Sequence, residues 1–313
     1  MFKNSLAFAI LKAVRPRQWL KNLALFASII FTGQLFKTGL LTISVKAFFI
    51  FCVVSSANYL FNDVMDASKD RKHPFKKLRP IASGALPIPV ALLISVVLLS
   101  FGLFASLKIN YTFFAMTVLY TLLSLAYTLI LKHFAVVDIL IIALAYFLRV
   151  YAGEAATGYH LSIWLSLAVF SLSLFLAIGK RRSELTLLQN LAGASPRDTR
   201  TTLGHYSERL LDTYTAMFAN STWITYAFYS FLERPPVSHW LYKSYILDTF
   251  PPDRKWLMVT LPFVLYGIMR YMQLIYEGKG ESPEKILTSD IPLLATVVIW
   301  GMAAILIIYF IGG

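Results

Sequence analysis

The chain alternates long apolar runs with short polar and basic segments. A helix of about 20 apolar residues crosses the hydrocarbon core of a bilayer. Turn signals such as Pro87, Lys132-His133 and Gly158 separate several of the runs. The pattern predicts an all-α fold, a polytopic membrane helical bundle of about nine transmembrane helices. The predicted spans are 19–36, 40–62, 88–107, 111–131, 134–157, 162–179, 210–232, 256–276 and 291–311.

Composition supports a membrane protein. The 313 residues are 58% hydrophobic and only 14% charged, whereas a soluble domain is nearer a quarter charged. A net charge of +13 is compatible with nucleic-acid binding. We exclude nucleic acid, however, because the basic residues lie in short loops beside the spans, where they set topology and meet anionic lipid or substrate. We expect one integral-membrane domain over 1–313, in which 1–18 is a basic amphipathic lead-in lying on the membrane.

Charge also predicts the orientation of the chain. Most of the 29 lysine and arginine residues fall in one set of alternate loops, which includes the long segments 63–86 and 180–209. By the positive-inside rule, the N-terminus and these loops are cytoplasmic and the C-terminus is outside, in an inner (cytoplasmic) membrane. The two long loops could form two lips of one site. The sequence leaves open whether the chain forms a homo-oligomer.

A set of aspartates gives the strongest chemical signal. Asp63, Asp66 and Asp70 are spaced i, i+3, i+7 and so share one face of a helix, with Asn58 and Asn62 in an adjacent stripe. Three carboxylates on one face repel each other unless a cation lies among them. Hard divalent cations such as Mg²⁺ prefer oxygen ligands and often bridge carboxylates to substrate phosphates.

The loop that follows the aspartates is basic and includes Lys76 and Arg79, which are suited to anionic oxygens. The pattern favours a metal–diphosphate site at a membrane surface. The alternative is a charged helix end followed by an ordinary cytoplasmic loop, but this alternative does not require the carboxylates to be in register.

Two other basic positions are ambiguous. Arg149 lies in an apolar run, where an arginine costs about 3 kcal/mol or more and usually faces a polar cavity. It either lines a central cavity that binds anions, or reaches the outer surface or pairs with Glu154. Lys180 and Glu184, spaced i, i+4 after the sixth span, belong either to a plain positive flank or to a phosphate site opposite the aspartates.

Two motifs are similar to those of a known superfamily. Asn62-Asp63-Val-Met-Asp66-Ala-Ser-Lys-Asp70 has the form NDxxDxxxD, and Arg79-Pro80-Ile-Ala-Ser83-Gly84 has the form RPxxSG. On these residues the chain resembles the UbiA-type membrane prenyltransferases. Its likeness is closer to the decaprenyl-phosphate phosphoribosyltransferases. Four stretches carry that likeness: Arg15 to Asn22, Leu148 to Gly153, Gly179 to Leu185, and Arg270 to Glu284.

One departure from the superfamily pattern is informative. Typical members carry a second aspartate-rich motif after the sixth span, whereas this chain reads Lys180-Arg181-Arg182-Ser183-Glu184 there. A basic second lip suits a donor with an extra phosphate, such as phosphoribosyl diphosphate. It also argues against two metal clusters that hold a prenyl diphosphate.

The resemblance implies a helical bundle around a central cavity open to the cytoplasm. It also implies Mg²⁺-dependent transfer of a 5-phosphoribosyl group from phosphoribosyl diphosphate to a polyprenyl (decaprenyl) phosphate, for cell-wall arabinan assembly. The alternatives are an aromatic prenyltransferase using a polyprenyl diphosphate, and a transporter or anion-binding scaffold. The predicted catalytic residues are Asp63, Asp66 and Asp70, which with Asn62 also form the metal site. The predicted substrate-binding residues are Lys21, Asn22, Asn58, Asn62, Lys76, Arg79, Arg149, Lys180, Arg181 and Glu184.

Overall fold

A computed structural model describes residues 6–72, 76–189, 201–233, 255–278 and 282–311, and these residues form helices and turns without strands. Residues 1–5 of the predicted lead-in, and 73–75 and 190–200 of the two predicted loops, lie outside the described residues. The α-helices are α1 (Leu6–Ala13), α2 (Ala27–Phe31), α3 (Thr38–Lys72), α4 (Ile88–Leu107), α5 (Tyr111–Leu129), α6 (Val137–Thr157), α7 (Ile163–Gln189), α8 (Glu208–Leu232), α9 (Leu261–Tyr276), α10 (Pro283–Ser289) and α11 (Ile291–Leu306).

Seven helical stretches within the described residues are long and apolar enough to cross a membrane. They confirm a polytopic all-α protein. The 25-residue helix α8 is long enough as well, but it is richer in threonine, serine and tyrosine and is not among the seven. The count of nine spans stays a prediction. The seven stretches are Thr38–Arg71, Ile88–Leu107, Tyr111–Leu129, Val137–Thr157, Ile163–Thr186, Trp256–Tyr276 and Ile291–Ile311.

The predicted span 19–36 is not one continuous α-helix, and its crossing of the membrane stays a prediction. A 3₁₀ helix over Pro16–Phe26 leads into the short helix α2, which ends in a turn. The physical reason lies in the polar residues of this stretch. Asn22 is completely buried, and its side-chain oxygen accepts a hydrogen bond from Arg149 at 2.9 Å. The segment therefore turns its polar side chains into the bundle and does not present a uniform apolar surface to lipid.

Helix α3 is longer than a membrane requires. Its 35 residues extend about 50 Å at 1.5 Å per residue, whereas the hydrocarbon core is about 30 Å thick. The apolar part comes first, so the last turns, which carry the three aspartates, lie beyond the core. Helix α7 likewise continues to Gln189, so the Lys180–Glu184 stretch is helical. Both helices therefore extend past the span ends predicted at 62 and 179.

A glycine brings α6 against the 3₁₀ segment. A Cβ built on Gly153 would lie 2.1 Å from the backbone oxygen of Leu25, so a larger residue cannot be placed there without movement of the backbone. Phe51, Tyr120 and Leu148 pack around this contact in one buried cluster with Leu25. The close approach fixes the position of the segment that carries Lys21 and Asn22 relative to α6.

Candidate active site

A cavity of about 680 Å³ opens between the ends of α3, α5, α6 and α7, the 3₁₀ segment and the start of α10. Lys76 and Arg79 line it from the first long connection and Lys180 and Glu184 from α7, so the two predicted lips do share one cavity. Eight basic side chains of the described residues line it, against the two acids Glu184 and Glu284. The basic residues are Lys12, Arg15, Arg17, Lys21, Lys76, Arg79, Arg149 and Lys180.

Arginines from two different segments neutralise Asp63 and Asp70. Arg15 Nη2 donates to both carboxylate oxygens of Asp63, at 2.6 Å and 2.8 Å. Arg79 Nη1 donates to Asp63 at 3.0 Å and to Asp70 at 2.7 Å. One arginine reaches both carboxylates because residues seven apart lie almost on one line along a helix. The shared partner agrees with the predicted register for Asp63 and Asp70.

Asp66 points toward a different partner. Lys132 Nζ lies 2.6 Å from one oxygen of Asp66, and Asn62 donates to the other oxygen at 3.2 Å. Thr128 of α5 in turn donates to the side-chain oxygen of Asn62 at 3.1 Å. Asn58 and Asn62 line the cavity, so the predicted asparagine stripe faces it, whereas the three aspartates lie behind this first layer of side chains.

These oxygen ligands are chemically suited to a hard divalent cation, but the side chains are not arranged to hold one. Carboxylate and amide oxygens are the ligands that Mg²⁺ takes in proteins. Each of the three carboxylates is engaged by a basic side chain. No three Asp, Glu, His or Cys side chains of the described residues are grouped so that they could hold an ion as they stand. Binding therefore requires the basic side chains to exchange partners.

Arg149 is held in the cavity wall by neutral partners. It donates to Asn22 at 2.9 Å and to the hydroxyl of Tyr120 at 2.7 Å, and its guanidinium lies over the rings of Tyr120 and Tyr146. Glu154 accepts instead from the backbone N–H of Leu161 at 2.9 Å. The alternative pairing with Glu154 is therefore wrong, and Arg149 lines the cavity. Asn22 orients Arg149 from behind and does not itself line the cavity.

Arg181 requires a correction. Its side chain is fully buried and does not belong to the cavity lining, because two carboxylates surround it. Arg181 donates to Asp138 at 2.7 Å and to Glu184 at 2.8 Å, and a third bond reaches the hydroxyl of Tyr127 at 3.1 Å. A guanidinium saturated in this way does not reach a substrate phosphate. Its place in the structure is to hold Tyr127 and Glu184, both of which line the cavity.

A further carboxylate, that of Glu284, lines the cavity. Glu284, at the start of α10, lies 3.2 Å from Lys21 Nζ and accepts a hydrogen bond from Gln18. Burial favours the neutral acid, but the positive charges of Lys21 and Lys180 and a backbone N–H lower the pKa of Glu284 to about 2. The carboxylate is therefore ionised at neutral pH. It ties α10 to the 3₁₀ segment.

Sequence reasoning missed three site residues: Arg15, Lys132 and Glu284. Their partners lie far away in the chain, and no local pattern reports such a pairing. The structure draws attention to Arg15, which precedes a proline and takes a left-handed backbone with φ of 54°. A non-glycine residue in that region is uncommon and costs about 1–2 kcal/mol. Such strain is often found at functional sites.

The UbiA prenyltransferase family model matches residues 23–183, which is more than half of the chain. The chain belongs to the UbiA prenyltransferase family. The match includes the aspartate face and the Lys180–Arg181 lip and stops short of Glu284.

Several relatives of this UbiA protein match over nearly their whole length. A decaprenyl-phosphate phosphoribosyltransferase of Corynebacterium glutamicum is 31% identical over 98% of this chain and 88% of the relative. The enzyme of the same name from Mycolicibacterium smegmatis is 33% identical over 95% of this chain and 91% of the relative. A third, from Mycobacterium tuberculosis, is 32% identical over 95% and 93%.

Solved structures agree on the fold. A UbiA homolog from Archaeoglobus fulgidus bound to GPP and Mg²⁺ has a TM-score of 0.68 and 22% identity, over 95% of this chain and 99% of that one. The same homolog bound to DMAPP and Mg²⁺ has a TM-score of 0.67, covering 95% and 98%. The UbiA fold of the present chain is thereby shown.

Proposed function

We propose that this protein transfers the 5-phosphoribosyl group of phosphoribosyl diphosphate to a polyprenyl phosphate, with release of diphosphate. The observation that carries the proposal is the cavity, whose described lining has eight basic and two acidic side chains. Both substrates are anionic, and the donor carries phosphate at two positions. The full-length similarity to proteins named decaprenyl-phosphate phosphoribosyltransferase supports this reaction and a long-chain acceptor such as decaprenyl phosphate.

The basic residues divide into two groups that could hold two phosphate positions. Arg15, Lys76 and Arg79 lie beside the aspartates, whereas Lys21, Arg149 and Lys180 line the rest of the wall. Arginine forks bind phosphate oxygens in pairs, and lysine supplies a point charge. We assign the diphosphate of the donor to the first group, and the 5-phosphate of the donor and the acceptor phosphate to the second. A volume of about 680 Å³ is within the ordinary range for a ligand site.

Asn62, Asp63, Asp66 and Asp70 would hold Mg²⁺, and Asn58 completes the wall beside them. When bound, the ion neutralises charge that develops on the leaving diphosphate. Arg15 and Arg79 now neutralise Asp63 and Asp70, so they are placed to turn to diphosphate oxygens. This exchange would keep the charge of the site balanced, because Mg²⁺ would take the place of the arginine side chains beside the carboxylates.

The remaining task of the protein is alignment. The anomeric carbon of ribose develops positive charge as the diphosphate leaves, and the acceptor phosphate is already an anion. No strong general base is therefore required. Basic side chains fix the two substrates at a short distance, and the enclosed cavity limits access of water to the reactive carbon.

We place the cavity on the cytoplasmic face, with the N-terminus inside and the C-terminus outside an inner membrane. The positive-inside rule supports this orientation, because the basic connections gather at the end of the bundle where the cavity opens. A soluble, multiply charged donor would then reach the site from the cytoplasm, and the lipid tail of the acceptor would enter from the bilayer.

A second candidate is transfer of a prenyl group from its diphosphate to an aromatic ring. The solved structure of a family member with bound GPP and Mg²⁺ favours it. The charge of the whole cavity wall weighs against it, since eight basic side chains and two acids of the described residues line the cavity. A single diphosphate would leave much of this positive lining without a counter-charge.

The deciding experiment measures diphosphate release by the purified protein in detergent. The reaction contains Mg²⁺, phosphoribosyl diphosphate and a long-chain polyprenyl phosphate, and Asp66→Ala is the control. We expect release that requires the lipid phosphate, the metal and Asp66. Turnover of a prenyl diphosphate with an aromatic acid, and none with phosphoribosyl diphosphate, would replace the first candidate by the second.

A further inference from the structure

We propose that Glu284 is a specificity-determining residue that accepts hydrogen bonds from the ring hydroxyls of the phosphoribosyl donor. The inference rests on the proposed function and assigns the part of the cavity that faces the sugar. The position of Glu284, its charge and its hydrogen bonding support it.

The first observation is position. Glu284 belongs to α10, near the C-terminal end of the chain, and yet it lines the cavity together with residues of α3, α6 and α7. It is 4% exposed, so it is enclosed by protein on most sides. The cavity wall near it includes Lys21, which contacts the ring of Tyr146 at 5.2 Å. Glu284 is therefore a buried part of the cavity wall beside Lys21.

The second observation concerns hydrogen bonding. An ionised carboxylate only accepts hydrogen bonds and has about four acceptor positions. Within the described residues, Oε1 of Glu284 accepts a bond from Gln18, whereas the buried Oε2 accepts none. Lys21 Nζ is near this oxygen at 3.2 Å, as an ion pair. The ion pair with Lys21 leaves other acceptor positions of this buried oxygen unfilled, which is costly. The carboxylate thus has capacity for a further donor.

The third step follows from charge. A carboxylate in a cavity that binds phosphates repels them, so a phosphate that pairs with Lys21 or Lys180 faces away from the oxygens of Glu284. The part of the ligand beside Glu284 must then be uncharged and rich in hydrogen-bond donors. The two free ring hydroxyls of a phosphoribosyl group meet both conditions. A prenyl group has no hydroxyl, and it would leave the buried carboxylate unsatisfied.

Such an arrangement gives discrimination as well as affinity. A site built to bond a hydroxyl rejects an analogue that lacks the hydroxyl, because the buried polar group is left unpaired. Glu284 would therefore select against prenyl diphosphates at the same site that binds the phosphoribosyl donor. In a family described by prenyl transfer, this residue would favour a sugar over an isoprenoid.

A purely positional role for Glu284 makes a different prediction. If the carboxylate only fixed Lys21 and Gln18, its loss would weaken every phosphorylated ligand equally. The test therefore compares two stable ligands, ribose 5-phosphate and 2,3-dideoxyribose 5-phosphate. Their dissociation constants are measured by calorimetry with the full-length protein in detergent. The variants are Glu284→Met, which removes the acceptor, and Lys21→Met, which removes the cationic partner and keeps the acceptor.

We expect the unmodified protein to prefer ribose 5-phosphate by about tenfold or more, as a charge-assisted hydrogen bond gives. Glu284→Met should reduce the preference to less than threefold, and Lys21→Met should weaken both ligands and keep the ratio. If Glu284→Met does not fold, Glu284→Gln should fold and lose part of the preference. No preference in the unmodified protein, or an unchanged ratio in the folded Glu284 variant, would overturn the inference.

The failure of this inference is distinct from failure of the proposed function. If phosphoribosyl transfer occurs and the ratio does not depend on Glu284, the function stands and the inference falls. If no phosphoribosyl transfer occurs when both the lipid phosphate and the metal are present, the proposed function itself falls. Turnover and sugar discrimination are therefore measured on the same preparation.

Discussion

Two carboxylate–arginine clusters lie close together in this molecule and differ in access to the cavity. In the first, Asp63 of α3 is bound by Arg15 and Arg79, whose side chains are 24% and 27% exposed. In the second, Asp138 of α6 is bound by Arg181 of α7, and both side chains are 0% exposed. We call the first the exchangeable pair, because its arginines are partly exposed and line the cavity, and the second the sealed pair.

The difference follows from the elements that carry the partners. Arg15 and Arg79 lie in turns between helices, where a side chain can be redirected without moving a packed helix. Arg181 and Asp138 lie on two helices that pack against each other, and Tyr206 closes the pair by donating to Asp138 at 2.7 Å. The carboxylate with partly exposed arginine partners is therefore our candidate for the metal site, and the sealed pair ties α6 to α7.

The largest effect should come from opening the sealed pair. Asp138→Ala leaves the buried guanidinium of Arg181 with Glu184 as its remaining acidic partner, and loss of one member of a buried ion pair costs about 3–5 kcal/mol. We expect a corresponding loss in the free energy of unfolding, measured by denaturant or thermal unfolding in detergent.

A matched control exists on the neighbouring helix. Glu208 pairs with Arg182 at 3.0 Å, but the Glu208 side chain is 45% exposed. Glu208→Ala should therefore cost less than about 1 kcal/mol. If both variants were equally stable, the second cluster would not be a sealed structural pair and the comparison would fail.

The next largest effect should be catalytic. Asp63→Asn keeps the shape of the side chain and removes the charge that would hold the metal and balance Arg15 and Arg79. We expect product formation to fall about 10²–10³-fold, which is the size of effect found for loss of one electrostatic group at a transition state. The measurement is the rate of diphosphate release at saturating donor, with the unfolding midpoint recorded in parallel.

The comparison between the two clusters requires that Asp63→Asn change the rate of diphosphate release without a matching change in the unfolding midpoint. Asp63→Asn should change the unfolding midpoint little, because Arg15 and Arg79 are partly exposed and can donate to solvent, and Arg79 keeps Asp70 as a partner. A variant of Asp63 that unfolds while retaining its specific rate would place this aspartate with the structural pair and exclude it from the site.

A smaller effect tests how the site is held together. Gly153→Ala would place a Cβ 2.1 Å from the backbone oxygen of Leu25, and such overpacking typically costs about 1–3 kcal/mol. The 3₁₀ segment should move away from α6, and Lys21 and Asn22 should move with it. We expect lower stability together with a raised KM for the donor.

The control for this variant is Gly267→Ala in α9, where an added Cβ meets no atom within 4 Å. Alanine in an open helical position is favoured over glycine by about 0.5–1 kcal/mol. Gly267→Ala should therefore be neutral or slightly stabilising. Equal losses in both variants would show that the Gly153 contact has no special role.

The aspartate face could be predicted from sequence because helical periodicity is a local property. The structure confirms that Asp63 and Asp70 share a partner and that Lys180 and Glu184 face the same cavity as Arg79. The division between exchangeable and sealed pairs could not be predicted. Arg15 lies 48 residues from Asp63, and Arg181 lies 43 residues from Asp138. Local spacing carries no information on pairing at that separation.

The first predicted span shows a second limit. Hydropathy alone read 19–36 as a helix in lipid, whereas its polar residues turn inward to Arg149 and the cavity. A window average does not separate an apolar helix with polar ends from a segment that places polar side chains inside a bundle. Lys21 and Asn22 were identified as site residues through the family resemblance, and the structure supplies the reason for their position.

The smallest effect gives the most direct comparison, because Lys180 and Arg181 are adjacent on one helix. Lys180 lines the cavity, whereas Arg181 is sealed against Asp138. Lys180→Gln should raise the KM for the phosphoribosyl donor about tenfold, the loss of roughly one charge-assisted contact. Arg181→Gln should instead lower the free energy of unfolding, since Asp138 would be left buried and unpaired. The measurements are donor titrations and unfolding curves on both variants. A tenfold KM change in a fully stable Arg181→Gln protein would show that the second cluster does exchange with substrate, and the two clusters would then differ in degree and not in kind.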